Sequence, residues 1–133
     1  MKQEELKHIL YDHRQWLYTL RKEGKQAILK DVDLQGFDFR GANLQSVNLV
    51  GANLAGCKLI LSNLKGVWFN NANLASCDLT GADLTGADLR GAKFTVEVRN
   101  VFSLNYCQVT KDQLPWLALH PEFSRFYPSF YLY

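Results

Sequence analysis

Apolar positions along this chain recur with a period that is neither helical nor that of a plain strand. From residue 34 to residue 94 every fifth position is Leu or Phe, thirteen in all, beginning Leu34, Phe39, Leu44 and ending Leu84, Leu89, Phe94. Two residues before each lies a small or mid-sized residue, such as Val32, Ala42, Ala52, Cys57, Ser62 or Ala87, with Phe37 the one large exception. Gly closes eight of the thirteen units, and the position before the Leu or Phe is usually Asp or Asn. A five-residue period fits neither 3.6 nor 2. It does fit a short straight side followed by a corner. Two side chains spaced by two share one face, as in a strand. Gly, Asn and Ser then accept the positive φ of a sharp turn. Repeated, this coils the chain into a solenoid, in which no unit can bury its Leu without its neighbours.

The ends follow other patterns. Residues 3 to 22, QEELKHILYDHRQWLYTLRK, place Leu6, Ile9, Leu10, His13, Trp16, Leu17 and Leu20 on one helical stripe. Gly24 stops this predicted helix, and a first weak unit, AILKD, follows. The helix is expected to cap the first coil, whose edge is otherwise open. After Phe94 the pattern fails at VEVRN, then Leu104 and Val109 return to the beat, so a degenerate coil is expected to about residue 109. A short helix follows within QLPWLALH, ended by His120-Pro121. Thr110 with Gln113 offers a capping box. Asp112 is the preferred N-cap, because it leaves Pro115 in the first turn. These patterns divide one compact domain into a capping helix (1–25), the repeat region (26–109, regular to 96) and a C-terminal helix with tail (110–133).

The tail PEFSRFYPSFYLY holds Phe123, Phe126, Tyr127, Phe130, Tyr131 and Tyr133 among thirteen residues. With Trp116, these aromatics either fold over the open last coil or pair with a second copy as a homodimer. A docking site for another protein is the third alternative.

Composition narrows the class. Fifteen Lys and Arg against thirteen Asp and Glu leave a net charge of +2, which creates no strong field for nucleic acid. Three Cys, an odd number, make no disulfide framework. No apolar run approaches the roughly 18 residues of a membrane span, and the charged start MKQEELKHIL is not expected to act as a secretory signal. A reducing cytoplasm is the expected location.

The units GANLQ, GANLA, GADLT and GADLR resemble the pentapeptide repeat family, whose consensus is A(D/N)LxG. The resemblance covers about residues 27 to 96 and points to a bacterial or phage member. It implies an all-β solenoid with helical ends: a right-handed quadrilateral β-helix, four units per coil and slightly over three coils, or roughly 15 Å at about 4.8 Å per rung. Residues twenty apart then stack. Face one carries VDLQG, ANLAG, ANLAS and AKFTV; face two FDFRG, CKLIL and CDLTG; face three ANLQS, SNLKG and ADLTG; face four VNLVG, VWFNN and ADLRG. Cys57 and Cys77 stack, pointing inward, as small buried hydrophobes. The outward Asn and Asp residues are expected to hydrogen-bond along ladders.

Departures from the pattern mark candidate contacts. Trp68 holds a slot usually given to Asp or Asn, Val50 lies one coil below, and Ile60 and Leu61 sit at a neighbouring corner, with Leu61 in place of the Gly. An apolar cluster of this kind covers something internal or meets a partner. Arg40, Val50, Ile60, Leu61, Trp68 and Arg90 are therefore the expected protein-contact residues.

Catalysis has no support in the pattern. His8, His13 and His120 do not converge with Cys or carboxylates at a metal spacing. The Gly are corners, with no Lys-Ser/Thr ending of a phosphate loop. No catalytic, metal or cofactor residue is expected. Some members of the family imitate DNA and bind gyrase. Between 32 and 96, however, five Asp meet five Lys or Arg, which disfavours mimicry of a dense phosphate surface. Non-specific nucleic-acid binding is disfavoured too: Arg21, Lys22, Lys25 and Lys30 form the densest basic cluster, and the first of them are expected to complement a helix dipole. The expectation is a rigid, non-catalytic module that binds another protein, inhibiting or regulating a host enzyme or defence complex.

Overall fold

The computed structural model describes residues 1–95, 100–117 and 131–133, the last segment with side-chain detail for Tyr133 alone. The first four residues of the VEVRN break (96–99), the His120-Pro121 helix end, and Phe123, Phe126, Tyr127 and Phe130 lie outside the described residues.

Parallel bridges join residues twenty apart throughout the repeats. One column runs Asp33, Asn53, Asn73, Lys93; a second Asp38, Lys58, Asp78; a third Asn43, Asn63, Asp83, Ser103; the fourth Ile28, Asn48, Trp68, Asp88, Gln108. Four units of five residues therefore make each coil, and the four faces are those expected from the repeat phase. Each rung is held on both sides: Asn48 donates to the Ala27 carbonyl at 3.0 Å, and Leu29 donates to the Asn48 carbonyl at 2.8 Å.

Every beat residue from Leu29 to Phe94, with Leu104 and Val109, is at most 7 % exposed, so one continuous stack of Leu and Phe forms the core. Phe37, the oversized residue in its slot, remains half-buried and packs edge-on against Phe39 at 6.2 Å. Where the slot holds a polar atom, a carbonyl receives it. Ser62 Oγ donates to Leu59 O at 2.6 Å, and the thiols of Cys57, Cys77 and Cys107 donate to Leu34, Leu54 and Leu84 O at 2.8–3.0 Å. Cys57 and Cys77 are buried free thiols, pushed by burial to about 11 and about 12.

Each corner is a β-turn whose third residue has positive φ. Thirteen such corners run from Asp31 to Gly91, and five of them are not Gly: Asp31, Ser46, Leu61, Asn71 and Ser76. The Asp or Asn before each Leu braces this turn by accepting the N–H two residues on, as Asn53 does from Ala55 at 3.2 Å and Asp83 from Thr85 at 3.0 Å. Ladder bonds between stacked amides also form, from Asn53 to Asp33 and from Asn73 to Asn53.

Helix α1 spans Gln3–Tyr18 and is shorter than the stripe predicts. Leu20 and Arg21 turn to φ 53 and 72, and their N–H groups close back on Leu17 and Trp16 O at 3.4 and 2.8 Å. This is a Schellman closure with Leu where Gly is usual. Leu20 is consequently 81 % exposed, off the stripe, while Leu6 and His13 are enclosed. Lys25 N–H then bonds Asp12 O at 3.2 Å, returning the chain along the helix. Gly24 makes that return possible: φ is +71, and a Cβ there would sit 2.8 Å from the Trp16 backbone nitrogen. The helix end also corrects the dipole reading of the basic cluster. No basic residue lies in the last turn of α1, so Arg21, Lys22, Lys25 and Lys30 follow the helix rather than complete it.

At the far end the corner moves back one residue, to Asn100 at φ 53. Val101 therefore turns inward and Phe102 outward, at 8 % and 73 % exposure. Strand β1 (Gln108–Val109) pairs in parallel with β2 (Tyr131–Leu132), adding a rung to face four. Between them lie a short 3₁₀ turn, Lys111–Gln113, and α2, Leu114–Leu117. Thr110, not Asp112, is the N-cap. The deciding group is the Gln113 side chain, which accepts from Thr110 N–H at 2.9 Å and donates to Leu89 and Ala92 O, tying the C-terminal segment to the last coil. Trp116 packs half-buried against the core. Among the described residues no helix is long and apolar enough to cross a membrane.

Candidate functional site

Among the described residues two apolar surfaces centre on places where the repeat departs from its own rule. The first lies where α1 meets face four. Trp68 stands in the outward column between Asn48 and Asp88 and is 48 % exposed. Across from it, Trp16 is held between ring partners: His13 stacks at 5.5 Å, and the Arg21 guanidinium lies 5.0 Å from the ring centre. Trp16, Arg21 and Trp68, with Gln26, Ser46 and Gly66, line an open hollow of about 340 Å³. Gln26 is fixed by donating to Ser46 O at 2.8 Å. A smaller hollow of about 230 Å³ adjoins it, lined by Ile9, Asp12, Lys25, Gln26 and Ile28. Ile28 occupies the bottom of the Trp68 column and is 64 % exposed.

His13 anchors this junction. It is fully enclosed, accepts Ala27 N–H at Nδ1 (3.0 Å) and meets Gln45 O at Nε2 (2.7 Å). Nδ1 must be bare to accept, so Nε2 carries the proton and donates: the ring is neutral. Burial pushes its pKa below the ordinary value, and the Gln45 carbonyl opposes that in part.

Higher on face four, Arg90 donates to Asp88 through Nε (2.9 Å) and NH2 (2.6 Å), and its guanidinium lies 4.5 Å from the Tyr133 ring centre. Asp88 is only 7 % exposed. Desolvation would raise its carboxyl, but the bonds from Arg90 and Asn70 outweigh it and hold the group below the usual carboxylate range.

The second surface runs along the corner between faces two and three. Leu61, at φ 57, is 71 % exposed and lies against Gly81, and Phe102 stands two rungs above Leu61, its N–H bonded to Ala82 O. Below it an open groove of about 490 Å³ separates α1 from the first coil, with Leu10, Tyr11, Tyr18 and Gly41 in its walls.

The residues singled out from sequence thus fall into two groups. Val50, Trp68 and Arg90 belong to face four. Arg40, Ile60 and Leu61 belong to the end of face two, where Arg40 is engaged by Asp38 through paired bonds of 2.6–2.9 Å. Face three lies between the groups, so they do not form one patch. Of the tail, Tyr131 lies in β2 against Gln108, in the chain's own last coil. Sequence reasoning missed Trp16, Arg21 and Gln26 as neighbours of Trp68, and of these only Trp16 carried a signal, since its stripe faces the coil. It paired Gln113 with Thr110 in a capping box, as the structure has it, but not with the last coil. Among the described residues no cluster of His, Cys, Asp and Glu could hold a metal.

The family model described as pentapeptide repeats (8 copies) matches the chain over residues 27–66 and 57–95. Similar solved structures include a pentapeptide repeat protein of the Arabidopsis thaliana thylakoid lumen, 24 % identical, with a TM-score of 0.43 over 70 % of this chain and 75 % of that one. A second, from Nostoc PCC 7120, is 24 % identical with a TM-score of 0.41 over 82 % and 83 % of the two chains. HetL, a Nostoc pentapeptide repeat protein involved in the regulation of heterocyst differentiation, is 23 % identical over 64 % of this chain and 51 % of its own, with a TM-score of 0.32. No curated protein matches the chain. The five-residue beat, the twenty-residue ladder and the family match over residues 27–95 make this chain a member of the pentapeptide repeat family.

Proposed function

We propose that the protein is a non-catalytic interaction module, a rigid right-handed β-helix that binds another protein and regulates it. The observation that carries this reading is the placement of exposed apolar residues at slots the repeat reserves for other types. Trp68 replaces a turn-bracing Asp or Asn, and Leu61 replaces a corner Gly at positive φ. A backbone strain of about 1–2 kcal/mol at Leu61 buys no core packing, since that side chain is 71 % exposed. Strain held at a surface position favours a contact role. The fold class is generally structural rather than catalytic, which agrees with this reading.

The test is affinity capture from host lysate with the full chain and its Trp68→Ala and Ile60→Asp variants, with and without nuclease. The reading expects a protein that survives nuclease and is lost in at least one variant. Capture that disappears with nuclease, or that is indifferent to both variants, contradicts it.

A further inference from the structure

The four basic residues that follow α1 complete no helix end, and among the described residues they form no ion pair. Residues 21–30 carry Arg21, Lys22, Lys25 and Lys30 against the single Glu23, in a chain whose whole net charge is +2. Among the described residues none of the four makes an ion pair, although four other ion pairs form elsewhere. All four are exposed, and two of them, Arg21 and Lys25, line the adjoining hollows that meet at Gln26. Those hollows also contain Trp68 and Ile28, the two exposed apolar members of the face-four column.

We propose that this junction is a docking site for an acidic segment of a partner protein in the polyproline II conformation, carrying two apolar side chains three residues apart. The spacing comes from the ladder. Ile28 and Trp68 are two rungs apart, about 9.6 Å at about 4.8 Å per rung, and three residues of polyproline II span about 9.3 Å and return the side chain to the same face. One apolar side chain covers Ile28, the other packs on Trp68, and Asn48 lies between them in the column. The flanking carboxylates meet Arg21 and Lys25. Arg21 suits this role because its stacking on Trp16 already fixes the plane of its fork.

Carboxylates border the site as well: Asp12 lines the smaller hollow, and Asp88 stands above Trp68 in the column. They bound the positive surface closely. A nucleic-acid strand needs a continuous cationic track with repeated stacking platforms, whereas this site offers one exposed indole between two carboxylates. An acidic peptide is the occupant that fits.

The inference rests on the interaction reading above and is tested separately. The probe is the peptide Ac-EFEELE-NH2, titrated into the full chain while the indole N–H signals of Trp68 and Trp16 are followed by NMR. Binding is expected to shift both signals. It should weaken at least about tenfold in Trp68→Ala and in Arg21→Gln, and weaken as salt rises. Lys22→Glu with Lys25→Glu, both at exposed positions, gives the same loss without touching the packing on Trp16. The site is overturned if the Trp68 signal does not move, if Ac-KFKKLK-NH2 shifts it equally, or if oligothymidylate binds more tightly than the acidic peptide. If peptide binding fails while partner capture still depends on Ile60, the docking site alone is wrong. If capture is insensitive to every surface variant, the parent reading is wrong.

Discussion

His13→Leu tests how α1 is fastened to the solenoid. The imidazole satisfies two enclosed backbone groups at once, the Ala27 N–H and the Gln45 carbonyl. Leu is similar in volume and offers neither a donor nor an acceptor, so both groups would be left buried and unpaired. At about 1–3 kcal/mol for each such group, the expected loss is about 2–6 kcal/mol. Urea unfolding followed by circular dichroism measures it. A pH series then separates the ring's chemistry from its packing. Burial lowers the folded pKa of His13, so the unfolded chain takes up the proton first. Stability from the neutral ring is fully present above about pH 6.5, the unfolded value, and is lost as pH falls through that value towards the folded pKa. The gap between wild type and His13→Leu should therefore narrow on acidification between about pH 7.5 and pH 5. A loss under about 0.5 kcal/mol, or a gap that stays constant with pH, would refute the latch.

Three further outcomes follow from the same geometry. Leu61→Gly should stabilise the fold by up to about 1 kcal/mol, because relief of the left-handed strain exceeds the entropy cost of Gly; an unchanged or lower urea midpoint would contradict that. Arg90→Met removes the partner of the nearly buried Asp88 and should cost about 1–2 kcal/mol at neutral pH, between the values for exposed and buried pairs. Because the Asp88 carboxyl is held low, that cost should persist above about pH 4 and vanish as acid protonates the carboxylate, and a pH-independent cost would argue against the pair. Cys57 and Cys77, with thiols at about 11 and about 12, should resist iodoacetamide in the native state and react on unfolding; mass spectrometry showing rapid native labelling would contradict their burial.

Much of this fold is written in the repeat. The Leu and Phe beat gives the core, and the twenty-residue stacking gives every bridge from Asp33 to Asp88, because each side chain alternates in a fixed frame. The parts that were not legible depend on contacts between distant residues. The periodicity places His13 on the buried stripe, but it cannot show that a carbonyl 32 residues away completes its bonding. The stripe also carries through Leu20, and only the closure of Leu20 and Arg21 onto Leu17 and Trp16 ends the helix early. The Asp and Asn positions were read as ladders, whereas their commonest bond is local, to the N–H two residues on. The candidate site was half legible. Trp68 stood out by replacing an Asx residue, but its neighbours Trp16 and Arg21 come from an element whose docking angle no local pattern encodes.

Everything said of the site depends on the four-unit coil that sets Trp68 above Asn48 and beside the end of α1. Hydrogen-bond couplings measured by long-range HNCO test that coil directly. The account predicts couplings from Asn48 N–H to Ala27 C=O, Asn53 to Val32, Trp68 to Val47 and Asp88 to Val67. Couplings to carbonyls at other offsets, or none between these pairs in a folded sample, would contradict it.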